Sequence, residues 1–215
     1  MCDSTIRRWV VLLLFMAVMP LSAQHFCGGV RAGISMSQIS GDDLSGFHKL
    51  GAYAGGYVQW RFIQSERWAL QPELNFNMKG SSSYLKADKN GNLVGQKYVL
   101  SLYYLEVPLL VKFRPFKGMD IELGPSFGVL FAETERDANG IMPARMPFRY
   151  LELSGLAGVS YLIKEHYGIS FRYAHSLIPV RVHDGHHSYY RLDRKQYNST
   201  LLLSFFYQFG GKKTQ

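Results

Sequence analysis

The sequence predicts an all-β fold, an eight-stranded antiparallel up-and-down β-barrel that crosses a membrane. Three observations predict it. Apolar residues recur at every second position along eight segments. The connections between those segments alternate strictly between tight and long. Aromatic residues gather at segment ends beside the tight turns. The composition fits: among 215 residues there are 14 Tyr, 14 Phe and 21 Gly, and only 19% are charged. That balance favours strands over helices. A mean hydropathy of −0.08 excludes a bundle of membrane helices, each of which needs about 20 apolar residues.

The chain opens on an export signal. Arg7 and Arg8 precede an apolar run from Trp9 to Met19, and Pro20-Leu21-Ser22-Ala23-Gln24 follows. A basic start, a short apolar core and a small residue at the cut make a secretory leader. The run is too short to span a bilayer as a helix. Residues 1–23 are therefore expected to be removed after Ala23, leaving 24–215 as a barrel domain. Phe26 before Cys27 does not suit a lipoprotein signal. With Cys2 lost in the leader, Cys27 stands alone and the mature chain forms no internal disulfide.

The strands follow in order. Val30, Ala32, Ile34 and Met36 share a face opposite Arg31, Gly33, Ser35 and Ser37. Ala54, Val58, Trp60 and Phe62 oppose Tyr53, Tyr57, Gln59 and Arg61. Trp68, Leu70, Leu74, Phe76 and Met78 oppose Gln71, Glu73, Asn75 and Asn77. Leu105, Val107, Leu109, Val111 and Phe113 oppose Glu106, Lys112 and Arg114. Ile121, Leu123, Phe127, Val129 and Phe131 oppose Glu122, Gly124, Ser126 and Gly128. Leu151, Leu153, Ala157, Val159 and Tyr161 oppose Glu152, Ser154, Gly158 and Ser160. Ile169, Phe171 and Tyr173 oppose Ser170 and Arg172, and Leu201, Leu203, Phe205 and Tyr207 oppose Ser204 and Gln208. Tight turns are expected at 64–66, 115–118 and 164–166, and long loops at 39–49, 79–99, 132–148 and 177–198.

A soluble eight-stranded barrel would put its apolar face inward and a charge-dense face in water. Here the polar faces carry Gly, Ser and Asn with few charges, while the apolar faces carry Trp, Phe and Leu. Trp60, Phe62, Trp68, Phe113, Tyr161, Tyr167, Tyr207 and Phe209 cluster beside the short turns, where an interfacial girdle belongs. The lipid-facing reading wins.

Several short motifs carry a family resemblance. Gly28-Gly29-Val30-Arg31-Ala32-Gly33-Ile34-Ser35 followed by Ser40-Gly41-Asp42-Asp43 resembles the opening of the PorT-family outer-membrane β-barrel proteins of Bacteroidota. Leu70-Gln71-Pro72-Glu73-Leu74 with Lys79-Gly80, Tyr104-Leu105-Glu106-Val107-Pro108-Leu109 and Glu122-Leu123-Gly124-Pro125 are similar too. With the final aromatic strand, the resemblance spans the mature chain. It implies an eight-stranded barrel in the outer membrane. The family's founding member is associated with a secretion and gliding apparatus, and most members have no assigned role.

Candidate functional residues fall into two groups. Arg31, Arg61, Glu73, Glu106, Lys112, Glu122, Glu152 and Arg172 lie at inward positions. Isolated charges in a narrow barrel are costly, so they should pair across neighbouring strands and fill the lumen. The last long loop holds His183-Asp184-Gly185-His186-His187 with Arg191 and Arg194 near by. These are candidate contacts to lipopolysaccharide, as are Lys79, Lys86, Lys89 and Lys97 in the second loop. Histidines beside an Asp also suit a divalent cation, but Asp-Gly reads equally as a plain turn, and no metal site is assigned. Gly124-Pro125-Ser126-Phe127-Gly128 matches G-x-S-x-G, yet it sits mid-strand rather than on a strand-to-helix turn.

The function expected is that of a small, non-enzymatic outer-membrane component without a cofactor. Its long loops would contact outer-membrane lipid, lipopolysaccharide or an envelope protein, with a link to a secretion apparatus as a finer expectation. Its basic balance of +8 comes with export and no recognition motif, which excludes nucleic acid. Two alternatives stand beside this: a narrow pore for ions or small solutes, and a lipid-modifying barrel enzyme.

Overall fold

The computed structural model describes residues 26–40, 47, 49–62, 67–83, 86–87, 93–94, 98–137, 140–141, 149–182 and 195–209. Period-two alternation is realised as eight long strands. They are β1 (Phe26–Ser40), β2 (Lys49–Arg61), β3 (Trp68–Ser83), β4 (Tyr98–Phe116), β5 (Met119–Asp137), β6 (Leu151–Leu162), β7 (Tyr167–Ser176) and β8 (Lys195–Phe209). Each pairs antiparallel with its chain neighbours, and β1 pairs with β8, so the sheet closes on itself. The closing register sets Ala32 opposite Phe205 and Ile34 opposite Leu203. Closure leaves no exposed sheet edge around the barrel wall.

The alternation assigns the faces as the sequence predicts. Leu123, Phe127, Val129 and Phe131 point outward, and Leu123 is 64% exposed while its neighbour Glu122 is 0% exposed. An apolar outer wall around a polar interior is the reverse of a water-soluble barrel. Rings link the aromatics of the short-turn end. Trp68 and Phe113 sit opposite each other with centroids 4.7 Å apart, and Trp60 meets Phe62 at 5.2 Å. Tyr207 meets Tyr167 at 5.1 Å and Phe209 at 5.2 Å. Phe76, Tyr103 and Phe131 form a second outward-facing group toward the other end.

The strands are longer than expected on one side. β4 and β5 each run 19 residues and β3 runs 16, against 10 for β7. Much of the expected loops 79–99 and 132–148 is therefore strand. The polar run Lys79-Gly80-Ser81-Ser82-Ser83 reads as a loop in sequence, but it continues β3 and pairs with β4 from Leu102 to Tyr98. The turn between β4 and β5 is compact, while the expected turn at 64–66 lies outside the described residues. Gly118 takes φ +87° between β4 and β5, a conformation that side chains with a Cβ rarely adopt.

Candidate functional site

Inward side chains of the eight strands fill the lumen with three charged clusters stacked along its length. The middle cluster centres on Glu73 of β3 and Glu122 of β5, both buried. Arg172 of β7 reaches both. Its Nη1 and Nη2 donate to the Glu73 carboxylate at 2.8 and 2.9 Å, and its Nε donates to Glu122 at 2.6 Å. Arg31 approaches Glu73 at 3.2 Å and Lys112 approaches Glu122 at 2.8 Å. Asn75 donates to Glu73 and Ser160 to Glu122, at 2.8 and 2.6 Å, and Gln71 also donates to Glu73. A planar guanidinium presents several donors in fixed directions, which lets one side chain serve two carboxylates.

The glycines explain how so large a side chain fits. A Cβ at Gly158, beside Arg172 on the neighbouring strand, would collide with the Arg172 side chain and the β7 backbone. Bulky lumen residues lie over missing side chains elsewhere too, Tyr57 over Gly29 and Phe206 over Gly168.

The second cluster lies toward the long-loop end. Lys79 of β3 places its Nζ 2.6 Å from both Glu106 of β4 and Glu152 of β6. Neutral donors complete the two carboxylates: Asn77 bonds Glu106 at 3.1 Å, while Ser154 and Asn198 bond Glu152 at 2.6 and 2.7 Å. The Tyr104 ring covers the ammonium at 5.1 Å. Above it, Ile39, Leu100, Leu102, Tyr104, Leu130 and Val180 form an apolar cap. β3 leans inward there and is tied to β1, because Ser35 donates to the Met78 carbonyl at 2.6 Å. Ser37 accepts from the Gly80 amide at 2.9 Å and donates to its carbonyl at 3.0 Å.

The third cluster lies at the short-turn mouth. Asp120 of β5 takes Arg114 at 2.6 and 3.0 Å, Lys112 at 3.6 Å and Arg61 at 3.7 Å. Here Arg61 and Arg114 are about one-fifth exposed, unlike the cations deeper in the barrel.

The eight lumen residues singled out in sequence are therefore distributed over all three clusters: Arg31, Glu73, Lys112, Glu122 and Arg172 in the middle, Glu106 and Glu152 outward, Arg61 at the mouth. Their partners differ from the expectation of neighbouring-strand pairs. Lys112–Glu122 joins adjacent strands, but Arg31–Glu73 and Arg172–Glu122 each skip one strand. Arg172–Glu73 joins strands four apart in a ring of eight, a full diameter. The barrel is narrow enough for long side chains to meet across it, which strand order alone does not reveal. Lys79, expected in an outer loop, is a buried lumen residue. Asp120 joins these eight in the lumen and lies in frame with Glu122 two positions on. His183, His186, His187, Arg191 and Arg194 lie outside the described residues, as does the leader.

Among the described residues neither catalytic possibility gains a site. Ser126 of the G-x-S-x-G stretch is a buried mid-strand residue opposite Pro108. A Ser/His contact does exist near the long-loop end, with His175 Nδ1 2.9 Å from Ser199 Oγ. Ser199 is 2% exposed, and the His175 ring is held by Ser199, Tyr173 and Tyr197. Among the described residues no carboxylate joins it, so the set lacks both access and an orienting acid.

This closed barrel with a polar, ion-paired interior agrees with what the sequence matches. Residues 22–181 match the family described as outer membrane protein beta-barrel domain. The chain belongs to that family. Family membership places the barrel in an outer membrane. No curated protein matches the chain. Among solved structures, neisserial surface protein A is 13% identical with a TM-score of 0.50, covering 86% of this chain and 97% of that one. The attachment invasion locus protein Ail of Yersinia pestis, solved with the heparin analogue sucrose octasulfate, is 14% identical with a TM-score of 0.48, covering 86% and 99%. OprG from Pseudomonas aeruginosa is 13% identical with a TM-score of 0.44, covering 87% and 98%. At these identities the neisserial likeness shows the fold alone.

Proposed function

We propose that this outer-membrane barrel is a non-enzymatic envelope component that works through its ends and not through its lumen. The long outer loops, with His183, His186, His187, Arg191 and Arg194, contact lipopolysaccharide or an envelope protein. Residues 1–23 act as the export signal, cut after Ala23. The motifs quoted above support membership of the PorT group and, with it, a partner in a secretion apparatus. The observation that carries the reading is the Arg172–Glu73 pair, which spans the full diameter of the lumen at 2.8 and 2.9 Å. Such a pair holds only when both charges are fully bonded, and here they are. A second bar, Lys79–Glu152, lies toward the outer end beneath the apolar cap.

Planar-bilayer recording tests the closed lumen. The purified protein is expected to stay electrically silent, in the wild type and after closure is reinforced by Gly128→Trp. Step conductance in the wild type that Gly128→Trp abolishes would establish a narrow pore instead. Capture from native outer membrane tests the outer loops: the expected result is lipopolysaccharide or an envelope protein that is lost when the His183–Arg194 segment is replaced by Gly and Ser.

A further inference from the structure

The short-turn end carries a charge imbalance that the lumen does not need. Asp120 is shared by Arg61, Lys112 and Arg114, so its carboxylate is fully occupied within the mouth. Outside the mouth, the turns present Arg67, Lys117 and Lys164, all exposed, against Glu165 as the one exposed carboxylate among the described turn residues. Glu66 precedes Arg67 in sequence and lies outside the described residues.

These three cations are spread around the rim, one at each of the three short turns. The Arg114 amide donates to the Arg67 carbonyl at 2.7 Å, and the Leu162 amide donates to the Gly118 carbonyl at 2.7 Å. The strand ends from β3 to β6 thus follow one another around the rim. Their outer surface is also where the apolar girdle ends: Trp68 is 45% exposed, Phe116 73% and Tyr161 52%. Aromatics of this kind settle at the headgroup level of a bilayer. Long basic side chains just beyond them keep their stems along the apolar surface and their charges at the phosphates.

We infer that this rim is a docking surface for anionic phospholipid headgroups in the leaflet facing the short turns. Its guanidinium and ammonium groups bind the headgroup phosphates, and the girdle fixes the depth at which they meet. In outer-membrane barrels the short turns face the periplasm, so this is the phospholipid leaflet and not the lipopolysaccharide one. The surface is independent of the outer loops and of whatever they bind.

The chain carries its own probe. Its three tryptophans are Trp9, Trp60 and Trp68, and the last two lie at this rim. The full chain with Trp9→Phe is folded into vesicles containing either brominated phosphatidylglycerol or brominated phosphatidylcholine at equal fractions. Phosphatidylglycerol is expected to quench Trp60 and Trp68 with about three-fold or greater relative association, falling as salt is raised. Combined Arg67→Gln, Lys117→Gln and Lys164→Gln should bring the ratio to about one while heat-modifiable migration shows an intact barrel. Single substitutions serve if the triple variant does not fold. Equal quenching by both lipids in the wild type would overturn the inference, as would a preference that survives the substitutions. Displacement of the lipid preference by soluble polyglutamate at low stoichiometry would also overturn it and assign the rim to a soluble acidic partner.

Discussion

The middle and the outer end of the lumen each bury two carboxylates, but they serve them differently. Glu73 and Glu122 share three cations: Arg31, Lys112 and Arg172. Glu106 and Glu152 share one, Lys79. The middle cluster is built with redundancy, because each carboxylate keeps a second cation if any one is lost. The outer cluster depends on a single ammonium, with three neutral donors, Asn77, Ser154 and Asn198, as the middle cluster also has in Gln71, Asn75 and Ser160. Redundancy, rather than the number of contacts, should therefore decide which residue the barrel can least spare.

Lys79→Met puts that ordering at risk first and has the largest expected effect. It keeps the volume and removes the charge, leaving two carboxylates buried with no cation in reach. Breaking a buried pair from one side costs about 3–5 kcal/mol. Unfolding of the vesicle-inserted protein in urea, followed by Trp60 and Trp68 fluorescence, measures it. Adding Glu106→Gln and Glu152→Gln should recover most of the loss, since the penalty lies in the orphaned charges and not in the missing stem. A triple variant as unstable as Lys79→Met would show that packing under the Tyr104 ring is what counts.

Arg172→Met is expected to cost less, about 2–3 kcal/mol in the same assay, although Arg172 makes more hydrogen bonds than Lys79. Glu73 retains Arg31 and Glu122 retains Lys112, so neither charge is orphaned. Arg172→Lys should recover little of this. An ammonium is a compact point charge and cannot give Glu73 the two-pronged grip of a guanidinium fork while also reaching Glu122. Should Arg172→Met prove the more damaging of the two, the diametric bar would matter as architecture beyond its charge balance.

Which of these residues sequence alone could find follows from the physics of a strand. Period two sorts residues to two faces, and the two faces meet different solvents, so Arg31, Glu73, Glu122 and Arg172 were legible as inward. The same rule shows which side of the wall a residue faces but not its height along the axis. Arg172 meets Glu73 because shear and closure bring β7 and β3 to the same level, and no local pattern records that. Lys79 reads as loop in sequence because Gly80 and three serines follow it; those residues form strand because they pair with β4 from Leu102 to Tyr98, and Ser35 and Ser37 of β1 bond the β3 backbone beside them. Asp120 needed no new principle, only two more positions of the alternation already seen at Glu122. The charged loop after β7 offered residue types without an alternation to place them.

The mouth cluster sets the lower end of the scale. Asp120 holds three cations, as many as the whole middle cluster, and Arg114 grips it with two bonds at 2.6 and 3.0 Å. By contact geometry Arg114→Gln should rival Arg172→Met. By exposure it should not, since the Arg114 side chain is 22% accessible where that of Arg172 is 1%. Water and salt screen a partly exposed pair, and such pairs contribute no more than about 1 kcal/mol. Arg61 and Lys112 also remain on Asp120 after the substitution. The expected loss in urea unfolding is below about 1 kcal/mol and shrinks further in high salt, whereas the Lys79→Met loss is salt-independent because no ions reach that site. A larger loss at Arg114, insensitive to salt, would mean that the mouth is as dry as the middle and that redundancy does not rank these clusters.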